Sequence, residues 1–163
     1  MTTPVTSPLT TDLYELNMVQ AYLDRGEDKT AVFEFFVRKL PARRGFMLAA
    51  GLEDALVYLE TMQYSKAEID WLKRTGRFRD NLLDYLSAFR FTGDVHAIPE
   101  GSVCFVPEPL LRVTAPLPMA QLVESRLINI LHYQTLIASK AARMVLAADG
   151  ESAGVVCQFH WFR

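Results

Sequence analysis

The sequence predicts an α+β fold that ends in one long helix. Helical patterns with capping residues occupy much of the first half of the chain, around a single strand pattern rich in aromatic and β-branched residues. Short apolar strands separated by prolines follow from Gly93. After Pro118, the segment 119–148 contains neither glycine nor proline, which favours one long helix. This order of helix, strand, helices, β unit and long helix is typical of the α+β class.

The first predicted helix covers residues 12–25. Asp12 and Glu15 have the spacing of a capping box, and Gly26 follows the last turn as a stop. One stripe of this helix carries a large side chain at every fourth position: Tyr14, Met18 and Tyr22. Aromatic stripes at helical spacing usually pack in a core, so the pattern leaves two roles open for Tyr14, core packing or contact with a ligand.

A strand is predicted over residues 30–39, because this segment is rich in β-branched and aromatic side chains. Alternation places an apolar set on one face: Ala31, Phe33, Phe35 and Val37. The other face mixes charged and apolar side chains: Val32, Glu34, Phe36 and Arg38. A plain solvent face seldom carries such a mixture, so we expect this face to border a site.

Basic side chains concentrate where this strand ends. Four cations fall within seven residues: Arg38, Lys39, Arg43 and Arg44. Pro41 and Gly45 indicate a turn at this point. The cluster is either a solvated basic turn or a place where phosphate is bound, and the residues alone leave both interpretations open.

The remaining elements are predicted from caps, turns and periodicity. Helices are expected over 51–62, 65–75 and 78–89, the second with a capping box formed by Ser65 and Glu68. Three short strands predict a small antiparallel β unit: 94–98, 102–106 and 110–114. The long helix carries polar residues at helical intervals on an otherwise largely apolar surface: Ser125, Asn129, His132, Ser139 and Arg143. Such a helix is expected to be buried on most sides.

Composition limits the function classes. A formal net charge of -2 and a pI near 5.9 provide no whole-chain basic field, so nucleic acid is not an expected partner. Cys104 and Cys157 lack the spacing of a zinc site or a disulfide framework, which favours a cytoplasmic location. The sequence contains no signal peptide pattern and no apolar run of about 18 residues, so we expect no membrane contact.

Four segments, in this order, together resemble nicotinate phosphoribosyltransferases: TDLYELNM (11–18), AVFEFFVRKLPARRGFMLAAGLEDAL (31–56), IPEGSVCFVPEPLLRVTAPLPMAQLVES (98–125) and LINILHYQTLIASKAAR (127–143). The resemblance implies an enzyme of NAD salvage that joins nicotinate to 5-phosphoribosyl 1-diphosphate and releases diphosphate. Coupled ATP hydrolysis is implied, and with it ATP and magnesium as cofactors. Relatives that use nicotinamide share the short tyrosine motif, so it is the extended similarity that favours nicotinate.

The resemblance also implies an architecture. Family members are homodimers, and each chain has an N-terminal α/β domain followed by an irregular α/β barrel. Active sites form between the subunits. In these enzymes the tyrosine of TDLY enters the neighbouring subunit's site and stacks on the pyridine ring, which implies that role for Tyr14. Stacking contributes about 0.5 to 1.5 kcal/mol beyond area burial.

Phosphate contacts are implied in the same way. The arginine of FEFFVRKLP matches a family position near the sugar diphosphate, which implies that role for Arg38, whose guanidinium fork suits phosphate. Further phosphate-binding candidates are the remaining cations of the turn and two on the long helix: Lys39, Arg43, Arg44, Lys140 and Arg143. The last two could equally pair with Glu124 or with carboxylates of the barrel.

The chain departs from the family pattern after residue 148. Family members continue into a strand of the type V-D-F-G-x-R-R that enters the barrel, whereas the corresponding text here is GVVCQFHWFR. Gln158, His160 and Phe162 stand in place of the acid, the glycine and the first arginine. A smaller departure is Asn17, where threonine is usual.

We therefore expect an N-terminal family domain over 1–118, the long helix leading toward the barrel over 119–148, and an atypical tail over 149–163. The expected protein is a truncated form of the enzyme. The alternative is a non-catalytic remnant that acts only as an interaction or folding fragment.

Overall fold

The computed structural model describes residues 7–42 and 44–148. Helices and strands alternate irregularly along this part of the chain: α1 Leu13–Arg25, β1 Thr30–Phe36, β2 Met47–Leu48, α2 Leu52–Thr61, α3 Lys66–Arg74, α4 Asp80–Ser87, β3 Asp94–Ala97, β4 Val103–Cys104, β5 Pro109–Pro116 and α5 Leu117–Ala147. The predicted class and the five predicted helices are confirmed, with shifts of one or two residues at most ends. The tail over 149–163 lies outside the described residues.

The main sheet has three antiparallel strands in the order β1, β5, β3. Phe33 pairs with Val113, and Glu34 pairs with Arg112, whose Nε donates to the Glu34 carboxylate at 2.8 Å. The predicted β unit of three neighbouring strands is wrong, because β5 pairs with both β1 and β3 while β4 pairs with β2 in a separate two-stranded sheet. The central place of β5 follows from its length and its buried alternate residues, Leu111, Val113 and Ala115.

The first strand ends three residues before its predicted end at residue 39. The register shifts between Phe35 and Phe36, and Phe36 lies opposite Pro109. Proline has no N–H to donate, so the ladder stops there. The two predicted faces are confirmed within the strand: Phe33 and Phe35 pack against the core, whereas the outward side chains of Val32 and Phe36 are exposed.

The start of α1 differs from the predicted capping box. Asp12 occupies the N-cap position, but its side chain makes no capping hydrogen bond, and Glu15 is fully buried. Both carboxylates instead accept hydrogen bonds from Ser125 on α5. The predicted box is therefore wrong because tertiary partners replace the local backbone donors. The stop at Gly26 is confirmed by its left-handed conformation (φ 65°), and the Ser65–Glu68 box forms as predicted.

The core lies between the inner face of the main sheet and the helices. Its most buried large side chains come from α3, α4 and α5: Leu72, Leu82, Leu86 and Leu122. A second, smaller apolar cluster joins the two-stranded sheet to β5: Met47, Ala49, Cys104 and Leu110. The long helix α5 contacts α1, α2, β1, β2 and β5. The elements that carry or precede the candidate site residues therefore pack against this one helix. Within the described residues, no helix combines the length and apolar character needed to span a membrane.

Candidate functional site

Tyr14 lies on the outer side of α1 and is 46% exposed. The buried side of this helix consists of Glu15, Leu16 and Val19. Leu13 and Met18 are also exposed beside the tyrosine, so the first turns of α1 present an apolar surface to solvent. The position of Tyr14 does not fit the core-packing interpretation and leaves part of its ring accessible.

The phenol of Tyr14 sits in an acidic environment. Partial burial raises its pKa, and the charges of Glu124, Glu15 and Asp12 act in the same direction. The hydroxyl of Ser125 opposes this rise in the pKa of Tyr14. At neutral pH the phenol is therefore protonated, which makes it a hydrogen-bond donor and a neutral stacking surface.

Ser125 joins two residues at the start of α1. Its backbone N–H donates to Oε1 of Glu15 at 2.6 Å, and its Oγ donates to Oδ2 of Asp12 at 2.9 Å. Glu15 also accepts a hydrogen bond from the hydroxyl of Thr11. Burial raises the pKa of Glu15, although these hydrogen bonds counteract the rise. The sequence singled out Ser125 only as one polar position of the long helix, and no local signal indicates its contacts across about 110 residues.

The cations of the predicted basic turn are placed beyond the end of β1. The side chains of Arg38 and Lys39 are exposed, and that of Arg44 is half-buried. The backbone N–H of Arg44 donates to the carbonyl of Pro41 at 3.1 Å, which confirms the turn. Arg43 lies outside the described residues, so its predicted role stays a prediction.

Two buried hydroxyls on α5 hold the chain that follows this turn. Ser139 Oγ accepts from the N–H of Leu48 at 2.8 Å, and Thr135 Oγ1 accepts from the N–H of Ala50 at 3.2 Å. Arg44 is four residues before Leu48, so their Cα atoms are at most about 15 Å apart. The turn is thereby tied to the same part of α5 that carries Lys140.

Lys140 is exposed and Arg143 is half-buried, and they lie one and four residues beyond Ser139. The expected alternative that they pair with Glu124 is wrong. Glu124 is 16 residues before Lys140 on the same continuous helix, a separation of about 24 Å at 1.5 Å per residue. The Glu124 carboxylate accepts instead from Nε2 of Gln121 at 2.7 Å.

The tyrosine and the cations therefore lie at different levels of α5. Ser125, which bonds Asp12 and Glu15 on either side of Tyr14, and Ser139, which bonds Leu48, are 14 residues apart, or about 21 Å along the helix axis. At the level of Ser125, a groove of about 80 Å³ runs along the sheet and α5, with mainly apolar walls such as Phe33, Phe35 and Leu127. Its charged lining residues are Glu34 and Glu124, which disfavour an anion there.

Comparison with known proteins assigns the family. Residues 9–132 match the family described as the nicotinate phosphoribosyltransferase N-terminal domain. The chain belongs to this family. The match includes Tyr14, Arg38, Lys39 and Arg44, and it ends before Lys140 and Arg143.

Individual members of the nicotinate phosphoribosyltransferase family show the extent of the similarity. The chain is 48% identical over 142 residues to nicotinate phosphoribosyltransferase pncB2 of Mycobacterium tuberculosis, covering 87% of this chain and 31% of the relative. It is 43% identical over 137 residues to the Bacillus subtilis enzyme, covering 83% of this chain and 28% of the relative. The chain thus spans about 30% of the length of these relatives.

Solved structures agree with this assignment. The crystal structure of human nicotinic acid phosphoribosyltransferase superimposes with a TM-score of 0.77 at 35% identity, over 84% of this chain and 28% of that chain. A nicotinate-nucleotide pyrophosphorylase from Pyrococcus furiosus superimposes with a TM-score of 0.66 at 19% identity, which supports the fold alone. The structure corresponds to an N-terminal portion of the family's chains.

Proposed function

We propose that this chain is the N-terminal part of an enzyme that transfers a phosphoribosyl group from 5-phosphoribosyl 1-diphosphate to nicotinate and releases diphosphate. The observation that carries the proposal is the family match over residues 9–132, which includes the exposed Tyr14. In this reaction a C–O bond to diphosphate breaks at C1 of the ribose, and the pyridine nitrogen forms the new C–N bond. A cytoplasmic location accompanies the proposal, because the described cysteine, Cys104, is a free buried thiol.

Tyr14 is proposed to stack on the pyridine ring of nicotinate. Its phenol is neutral at working pH and its ring is partly accessible, so it can stack on an electron-poor aromatic acid. The neighbouring carboxylates repel the nicotinate carboxylate, which therefore points away from Asp12 and Glu124. Such an orientation requires a cation from elsewhere in the complete site.

The cations of the basic turn and of α5 are proposed to contact the phosphates. Arg38 is the main candidate, with Lys39, Arg44, Lys140 and Arg143 as further contributors and Arg43 outside the described residues. A planar guanidinium donates two parallel hydrogen bonds to a phosphate, which fixes orientation as well as charge. These groups would stabilise the negative charge that develops on the leaving diphosphate.

ATP and magnesium are proposed as cofactors only because the family resemblance implies them. Within residues 7–42 and 44–148, no group of three or more His, Cys, Asp or Glu side chains is placed to hold a metal ion. The described residues therefore do not form a metal site by themselves.

A homodimer with composite sites is the proposed assembly. Ser125, which bonds the neighbours of Tyr14, and Ser139, which bonds the segment after the basic turn, are separated by about 21 Å along α5, and this supports the proposal because one pyridine–ribose unit is much shorter than that. In a pair of chains related by a twofold axis, the tyrosine of one chain can face the cations of the other.

The site assignment is tested by nicotinate binding to the purified chain, measured by ligand-observed NMR. We expect Tyr14→Ala to weaken binding by about threefold to tenfold, the loss of one stacking contact. The matched control is Tyr133→Ala, which removes another exposed tyrosine, on α5 and outside the family match. Equal binding by wild type and Tyr14→Ala would remove Tyr14 from the site.

The second candidate function, a non-catalytic interaction fragment, is favoured by one observation. Large apolar side chains are exposed along the second half of α5: Tyr133, Leu136, Met144, Val145 and Leu146. Such a surface is typical of a helix that packs against a partner. A chain that is monomeric by sedimentation and also binds nicotinate would contradict this candidate.

A further inference from the structure

The β1 edge of the main sheet has no strand partner within residues 7–42 and 44–148. In the order β1, β5, β3, the strand β1 pairs with β5 on one side only. The groove of about 80 Å³ lies beside this strand, with Phe33 and Phe35 on one wall and Leu127 and Ile128 of α5 on the other. A free strand edge next to an apolar groove is typical of a place where an extended segment adds to a sheet.

The groove also carries a carboxylate without a cationic partner in the described part of the chain. Of its two acidic residues, Glu34 is paired with Arg112 at 2.6 Å, whereas Glu124 accepts from the neutral amide of Gln121. An occupant with apolar side chains and one cation therefore matches the groove. Two copies of this chain paired edge to edge would instead bring their acidic grooves together, which like charges disfavour.

The long helix α5 runs along β1 in the same direction. At the start of α5, the N–H of Leu117 donates to the carbonyl of Lys29, directly before β1. Further along, Ser139 accepts from the N–H of Leu48, which follows β1. A segment that folds back from the end of α5 therefore passes the groove antiparallel to β1, the direction that a short reversal allows.

The sequence that follows the described residues has the composition of such a strand. Residues 155–163 are rich in β-branched and aromatic side chains. Alternation puts Phe159, Trp161 and Arg163 on one face, which offers the groove two aromatic rings and one cation. Gly150, just after α5, suits a reversal of the chain.

The length of this segment fits the distance to the groove. Ile128 and Glu124 lie about 29 and 35 Å back along α5 from its end at Ala147. An extended chain rises about 3.3 Å per residue, so about five residues for the reversal and about nine for the return bring Trp161 to the level of Ile128. Arg163 is two residues further, about 6.6 Å, which matches the rise of about 6 Å from Ile128 to Glu124.

We propose that residues 157–163 add to the free edge of β1 in their own chain as an antiparallel strand, with Trp161 in the groove beside Ile128 and Arg163 paired with Glu124. The tail thereby covers apolar surface that β1 and α5 leave open to solvent. This role of the tail does not depend on nicotinate binding, so it is tested separately from the proposed function.

Tryptophan fluorescence of the 163-residue chain tests the placement of the tail. The sequence has two tryptophans, Trp71 and Trp161, so Trp71→Phe leaves Trp161 as the reporter. We expect Trp161 emission to be blue-shifted, and its quenching by acrylamide to be slower, in the folded chain than in the same chain in urea. Equal emission wavelength and quenching in both states would overturn the proposal.

Two equally exposed residues of α5 locate the contact in this background. Ile128→Asp places a charge in the groove, whereas Leu136→Asp, at 40% exposure against 39%, places it outside the groove. We expect Ile128→Asp to shift Trp161 emission toward its value in urea and Leu136→Asp to leave it unchanged. Any other pattern places the tail elsewhere and overturns the proposal.

A charge exchange decides the question if Ile128→Asp does not fold. We expect Glu124→Lys to shift Trp161 emission to longer wavelength, and Arg163→Glu in the same chain to restore it. A double variant that stays shifted would overturn the proposal. Protection of Trp161 that disappears on dilution would also overturn it, because the tail would then occupy the groove of another copy.

Discussion

Glu15 shows how a single buried carboxylate shapes the start of this domain. Its side chain has no exposed surface, and it links Thr11 on one side to the backbone of Ser125 on the other. Burial of a carboxylate penalises its charged form, so the pKa of Glu15 in the folded chain lies above its ordinary value. The folded state therefore binds this proton more tightly than the unfolded state does.

The linkage predicts how stability depends on pH. A raised folded pKa contributes stability that is present below the ordinary glutamate pKa of 4.5 and is lost as pH rises through the folded pKa. Glu15→Gln cannot titrate and keeps an acceptor for the N–H of Ser125. We expect wild type to lose urea resistance relative to Glu15→Gln as pH increases above 4.5, which urea unfolding at a series of pH values measures. Glu60→Gln, on the exposed side of α2, is the control, and parallel wild-type and Glu15→Gln curves would refute the prediction.

Gly51 is a second residue whose identity is set by its surroundings. Its φ is +98°, and a Cβ added there would lie 3.2 Å from the Gln134 side chain and from the carbonyl oxygen of Ile130. Both the positive φ and the lack of room for a Cβ atom therefore favour glycine at this position.

Gly51→Ala is expected to reduce the free energy of unfolding by about 1 to 3 kcal/mol, measured by urea denaturation. Gly76→Ala separates the two causes, because Gly76 also has a positive φ but nothing within 4 Å of the added Cβ. We expect the smaller loss at Gly76, and an equal loss at both positions would show that the contact with α5 is unimportant.

Elements are joined here by hydroxyls on the long helix. Ser139 and Thr135 satisfy the N–H groups of Leu48 and Ala50, which the short strand β2 leaves free at this edge. These two side chains fix the segment between the basic turn and α2. The turn thereby gains a defined place beside α5 even though its own side chains are exposed.

Removal of one of these hydroxyls is expected to loosen that segment locally. Ser139→Ala leaves the N–H of Leu48 without its acceptor, at a cost of about 1 to 3 kcal/mol. Amide hydrogen exchange should accelerate at Leu48, and less at Ala50. His132→Ala, an exposed substitution on the same helix, is the control. Unchanged exchange at Leu48 would show that the segment is held by apolar packing alone.

The whole molecule has two candidate binding regions that are far apart. Tyr14 lies between Asp12 and Glu15, which both bond Ser125, whereas Lys140 and Arg143 follow Ser139, about 21 Å further along α5. If two chains share their sites, as proposed, defects on the two regions should complement each other.

We expect neither Tyr14→Ala nor Arg38→Ala chains to bind nicotinate well in the presence of 5-phosphoribosyl 1-diphosphate. After the two variants are mixed and allowed to exchange subunits, about one quarter of the wild-type number of sites should return, because half of the dimers are mixed and each has one intact site. Calorimetric titration of the mixture counts the sites. Self-mixed controls of each variant should recover none, and no recovery in the mixture would place both residues in the same subunit's site or in none.

The sequence by itself determined the helices, the faces of β1, the stop at Gly26, the capping box at Ser65 and the family. These features depend on periodicity, caps and contiguous motifs, which act over a few residues. The fold class also followed, because the order of elements limits the layers that can pack.

Only the tertiary structure decided the central place of β5, the partner of β4 and the true contacts of Asp12 and Glu15. Each depends on groups brought together from distant parts of the chain, such as Glu15 and Ser125. A carboxylate near the start of a helix accepts a hydrogen bond from whichever donor the packing brings close. Here the donors are groups of Ser125 on α5, and they replace the backbone N–H groups of α1 that the spacing had indicated. Local pattern specifies what an element is, whereas burial and geometry decide what it touches.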